Sequence, residues 1–233
     1  LKQSIMKSNI FKLGILITIT LLVLAGLNSC SKTTGEEDAV PAGTSADYLT
    51  DNTFKDMIAL SDEESLVFMR EEEKMARDVY IFLYEKWELM VFDNISNSEQ
   101  RHMDKVLELL VHFGIDDPAL PGYGEFANEE IQELYNSLVA SGETSVEEAI
   151  IAGATIEDKD IFDLQNFISE TEDELIQCVC SNLVRASRNH LRAFARHLEM
   201  MEIEYTPQFL TQEEYDAIVS GSHEAGGTPC NFN

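Results

Sequence analysis

Leu66-Val67-Phe68-Met69-Arg70-Glu71-Glu72-Glu73-Lys74-Met75-Ala76-Arg77-Asp78-Val79-Tyr80-Ile81-Phe82-Leu83-Tyr84-Glu85-Lys86-Trp87 decides the fold. Its apolar residues recur at Leu66, Met69, Ala76, Tyr80, Leu83 and Trp87, in steps of three and four with Glu73 filling the gap. That spacing is the stripe of a helix facing a core, so a carboxylate falls where a bundle helix would carry an apolar side chain. Three more segments repeat the pattern. The second runs Ile95, Glu99, His102, Val106, Leu109, Phe113; the third Val146, Ile150, Gly153, Glu157, Asp160, Leu164, Phe167; the fourth Ile176, Val179, Leu183, Ala186, His190, Ala193, His197. Burying an isolated carboxylate costs several kcal/mol even after relaxation. Four inward carboxylates with two imidazoles therefore call for protons, cationic partners or bound metal.

Connection lengths set the expected architecture. The midpoint of positions 73 and 99 is residue 86, so a hairpin that levels Glu73 with Glu99 turns just after it, and the second helix starts near Met90 or Val91. Ser96-Asn97-Ser98-Glu99 also matches a capping box, the rival reading in which Glu99 satisfies a backbone amide in a first turn. Ser61 with Glu64, Thr144 with Glu147, Thr171 with Glu174 and Thr211 with Glu214 match the same box and are read as helix starts. Gly114 to Gly142 is long enough to cross a bundle and holds a short helix from Asn128 to Val139. The expectation is all-α: a four-helix bundle over 60–206 with a long crossover between helices 2 and 3, then a short helix and flexible tail over 207–233.

The ends speak to location. Lys2, Lys7 and Lys12 precede the uncharged run Leu13 to Leu27 and then Leu27-Asn28-Ser29-Cys30. This order resembles a bacterial lipoprotein signal over 1–29, cleaved before a lipidated Cys30, with a signal anchor as the alternative. Residues 30–59 read as a flexible tether. The folded part is then expected outside the cytoplasm, in the cell envelope, with membrane lipid as partner through Cys30. The net charge of −27 becomes −30 once those three lysines are lost, a field that repels nucleic acid and gathers cations. Cys178-Val179-Cys180 is not a metal-knuckle spacing, since two thiols so placed on a helix diverge by roughly 200°. A disulfide to Cys230 suits an oxidising compartment, without the sequence establishing one.

Glu73-x-x-Ala76-Arg77-x-x-Tyr80 and Glu99-Gln100-Arg101-His102 resemble the rubrerythrin-like pattern of the ferritin-like superfamily, whose di-metal carboxylate bundles place Glu on two helices and Glu-x-x-His on two others. Leu60 to about Leu198, with Ser187-Arg188-Asn189-His190-Leu191-Arg192-Ala193-Phe194, also looks like a bacterial branch described as a domain of unknown function. The resemblance implies Glu73, Glu99, His102, Glu157 and His190 as ligands of one or two iron ions, with manganese or zinc as substitutes; Tyr80, two turns from Glu73, reads as a core tyrosine, with a place beside the ligands as its second reading. It departs at Ser187, where the family pattern needs an acid, and Asp160 is the residue that restores the count. Asp160 has a second reading, as partner of one of Arg185, Arg188, Arg192 and Arg196. The chain carries no Cys-x-x-Cys pair of a rubredoxin module, and a tethered protein does not suit a storage shell. The functional expectation is an envelope-anchored di-iron oxidoreductase acting on oxygen or peroxide, with a non-catalytic metal-binding or sequestering lipoprotein as the alternative and a homodimer left open.

Overall fold

The computed structural model describes residues 60–232; the expected signal over 1–29, Cys30 and the expected tether over 30–59 lie outside the described residues. Among the described residues there are six helices and no strand: α1 (Leu60–Trp87), α2 (Met90–Phe113), α3 (Glu129–Gly142), α4 (Val146–Glu170), α5 (Glu174–Met200) and α6 (Gln212–Ser220). None of these helices is long and apolar enough to cross a membrane. α1 packs along α2 and α4 along α5, while α1 also meets α4 and α2 meets α5, so the four long helices surround one core. Leu66, Tyr80, Leu83, Phe92, Ile150, Leu164 and Phe194 are buried there. Each such side chain contributes about 1.5–3 kcal/mol by leaving water.

Local chemistry sets each boundary. α1 hands over to α2 through Glu88, which takes the left-handed conformation at φ 54. α2 therefore starts at Met90, as the hairpin level of Glu73 and Glu99 requires. Gly114 ends it at φ 70, where a left-handed residue lets the backbone amides of 114 and 115 close on the last carbonyls. The Thr211 and Glu214 side chains form the capping box expected of them. Three other expected starts fall elsewhere, the first because Ser61 already lies inside α1. Ser145, one residue after Thr144, caps α4 by accepting from the Glu148 amide. Asp173 caps α5 through the Leu175 and Ile176 amides, and Thr171 instead closes α4 and donates to Asp62. Adjacent Ser, Thr and Asp compete for one cap, and the carboxylate wins at α5 because it accepts two amides at once.

The crossover reshapes the surroundings of α1. Arg70 makes two 2.9 Å hydrogen bonds to Asp117 and one to the Met103 carbonyl. Lys74 donates to the carbonyls of Gly122 and Glu125, and Asp78 accepts the Gly124 amide. Glu71 accepts the amides of Ala127 and Asn128, and α3 then packs against both α1 and α4. As a result Glu71, Glu72 and Glu73 are all buried, although three consecutive residues point in three directions. α1 is enclosed on nearly every side.

One close approach ties the hairpins together, and another set of contacts ties the tail to α5. A Cβ added to Gly153 of α4 would lie 2.4 Å from the Phe194 ring, so only glycine lets that ring reach Tyr80, 5.5 Å away centroid to centroid. At the other end the tail is not free. Cys178 and Cys230 form a disulfide, Asn182 donates to the Thr228 carbonyl, and Glu224 pairs with Arg188 and Arg192. The Gly-rich stretch read as flexible is laid along the outer face of α5 by these bonds.

Candidate metal centre

Four helices contribute to one buried cluster: Glu73 from α1, Glu99 and His102 from α2, Glu157 from α4 and His190 from α5. Glu99 stands in the third turn of α2, so its capping alternative does not hold; Ser96 bonds the Asp93 carbonyl of its own helix. Glu99 and His102, three residues apart, share the inward face, and His102 Nδ1 lies 2.6 Å from Glu99 Oε2 and 3.2 Å from Glu73 Oε2. His190 Nδ1 lies 2.8 Å from Glu99 Oε1 and 3.3 Å from Glu157 Oε2. The two imidazoles face each other with centroids 5.5 Å apart. Two groups result, Glu73–Glu99–His102 and Glu99–Glu157–His190, each with one donor atom per residue within 4.8 Å of the others, and Glu99 belongs to both.

The charges explain why such a cluster tolerates burial, and where it does not. Burial by itself would raise the Glu99 carboxyl, but the flanking His102 and His190 hold it well below the ordinary carboxylate range. Burial would likewise lower His190, yet Glu99 and Glu157 lift it to about 9. Burial wins at Glu73, pushed up to about 7 against the pull of His102, and it also raises Glu157. Glu73 Oε1 and Glu99 Oε1 remain without a hydrogen bond; the latter is close to His190 Nδ1 but off the direction of its N–H. Each unpaired buried acceptor costs about 1–3 kcal/mol, more when charged. Carboxylate oxygens paired with imidazole nitrogens suit iron, manganese or zinc, and the two unpaired oxygens are open to such an ion. The donor set could hold a metal ion of the kind the resemblance implies.

The residues around this cluster divide in role. Tyr80 donates a 2.5 Å hydrogen bond to Glu157 Oε1 and reaches the Gly153 carbonyl at 3.3 Å, so it fixes that carboxylate directly. Ser187 is fully buried and turns back to the Leu183 carbonyl of its own helix, offering no acid where the resemblance needs one. Asp160 lies outside both groups. It is 6% exposed and has no hydrogen-bond or ion-pair partner among the described residues. Burial raises its carboxyl well above the usual range, and Glu73, Glu72, Glu157 and Glu99 raise it further. None of the arginines neutralises it: Arg188 and Arg192 pair with Glu224, Arg185 donates to the Glu224 carbonyl and Arg196 to that of Arg192.

Several buried polar residues were not legible as such. Cys180 is a free, buried thiol, raised by burial and then by the nearby charges of Glu73 and Asp160. Its only signal in the sequence is a place beside Val179 in the α5 stripe. Asp158 accepts the Tyr205 hydroxyl and the amides of Gln208, Phe209 and Leu210, which anchors the link to α6. Glu72 meets Lys159 at 2.6 Å across α1 and α4.

Comparison with known proteins agrees with this extent of the fold. The profile described as "Uncharacterized protein domain (DUF2202)" matches residues 62–222. An uncharacterized protein of Methanocaldococcus jannaschii, MJ0754, is 49% identical over 173 residues, covering 74% of this chain and 94% of the relative. The crystal structure of that hypothetical protein superposes with a TM-score of 0.72 at 47% identity, over 75% of this chain and all of the other. Neither description assigns an activity.

Proposed function

The chain belongs to the DUF2202 family, and we propose that it is a ferritin-like metal-binding protein whose four long helices hold one or two iron or manganese ions. The observation that carries this reading is the pair of donor groups sharing Glu99, with Glu73 Oε1 and Glu99 Oε1 unpaired in a water-poor core. Glu73 and His102 would hold one ion, Glu157 and His190 the other, and Glu99 would serve both. Bound iron would supply redox chemistry toward oxygen or peroxide. The chain's own residues then do the positioning. Tyr80 holds Glu157 by one oxygen and turns the other toward His190, and the apolar ring of Phe194 behind it excludes water.

Envelope location is the second part of the proposal. It rests on the basic, apolar and cysteine elements ending at Cys30, and the Cys178–Cys230 disulfide suits an oxidising compartment outside the cytoplasm. Replacing Cys30 with Ser should move the protein out of the membrane fraction or block its processing.

Anaerobic titration with ferrous or manganous ion, followed by oxygen or peroxide, tests the function. An oxidoreductase takes up one to two equivalents and turns over repeatedly. A sequestering lipoprotein takes up the same equivalents without turnover. No uptake at all contradicts both.

A further inference from the structure

A buried acid without a partner marks a path. Lys159 reaches from α4 to Glu72 on α1 at 2.6 Å, so positions 159 and 160 stand level with 72 and 73. Lys159 also bonds Asp163, one turn further along α4, and packs over the Phe68 ring at 5.0 Å. Just outside lies an open depression of about 410 Å³ between the same two helices, with Glu64, Asp163 and Glu170 among its walls. Four carboxylates thus belong to this seam: Asp163, 26% exposed, at the depression, Glu72 at 4% and Asp160 at 6% behind it, and Glu73 in the metal centre. Asp160 is the telling member. It is buried, without a partner, and close enough to Glu73, Glu72, Glu157 and Glu99 to feel all four charges.

We propose that this seam between α1 and α4 is the access route for divalent cations, with Asp163 at its mouth and Asp160 as the inner station next to Glu73. The inference rests on the metal-binding reading and adds how the ion arrives. A buried carboxyl without a partner costs the empty protein stability, a cost that a passing cation offsets and a hydrophobic residue would never incur. Lys159 bridges Glu72 and Asp163 as a monovalent cation, the place that an incoming divalent ion would take. The acidic surface, net −27, brings cations to the mouth.

Stopped-flow uptake of manganous and ferrous ion by the full protein, for the parent, Asp160→Asn and Asp163→Asn, tests the route. Asp160→Asn is close in shape and loses no partner, so it should fold. Its uptake rate should fall by about tenfold or more and that of Asp163→Asn severalfold, with unchanged equivalents at saturation. Rates equal to the parent's in both variants overturn the route. Loss of one equivalent at saturation in Asp160→Asn overturns it too, because the residue is then a ligand rather than a station. A parent that takes up no ion fails the metal-binding reading itself, and the route with it.

Discussion

Glu99 and His190 meet at 2.8 Å although they stand on different helical hairpins, one on α2 and the other on α5. This contact joins the two donor groups into one cluster, since Glu99 reaches His102 through its other oxygen. Each of the four long helices thus brings a side chain to the same cluster. Precision at that point depends on the residues that hold the carboxylates still.

Tyr80 is the first of these. Tyr80→Phe leaves Glu157 Oε1 buried without its 2.5 Å donor, so the metal-free protein should lose about 1–3 kcal/mol. Affinity should fall for one ion more than for the other, because Glu73 and His102 are untouched. Denaturant unfolding together with calorimetric titration checks both effects.

Stability of the chelated protein should fall as pH rises. The Glu73 carboxyl is raised from 4.5 to about 7, so between those values the folded state keeps a proton that the unfolded chain releases. His190 is raised from 6.5 to about 9, and there too the folded state binds more protons. Both contributions are fully present at low pH, one below pH 4.5 and the other below 6.5, and both are lost by about pH 9. Thermal unfolding in chelator from pH 5 to pH 9 should show a steadily falling Tm. With metal the slope should flatten, and binding should release protons. A Tm that rises over this range would contradict the charge assignment.

The tail offers a test away from the cluster. Cys178 and Cys230 are 52 residues apart, and closing a loop of that length stabilises by up to about 4 kcal/mol through the unfolded chain. Cys230→Ser should lower stability within that limit and expose residues 222–232 to hydrogen exchange. Metal equivalents at saturation should not change. Exchange protection that stays as in the parent would show that the Glu224 and Asn182 bonds hold the strap without the disulfide.

How much of this was written in the sequence varies by residue. Steps of three and four exposed the four stripes, because helix period depends only on local geometry. Hairpin symmetry about residue 86 placed the start of α2 near Met90 or Val91, and it begins at Met90, since a short turn fixes the level of two antiparallel helices. The fate of Glu71 and Glu72 was hidden. Their partners, the amides of Ala127 and Asn128 and the ammonium of Lys159, arrive from far along the chain. Asp160 shares the Glu157 face, yet its distance from the two donor groups depends on how α4 lies against α1. The caps at Ser145 and Asp173 were missed by one or two residues because neighbouring side chains could each fill the role.

Anomalous diffraction from crystals of the protein loaded with manganous or ferrous ion tests the central claim most directly. The expected result is density between Glu73, Glu99 and His102, between Glu99, Glu157 and His190, or at both, and its loss in Glu99→Gln. Loaded crystals with no anomalous peak among these five side chains would contradict it.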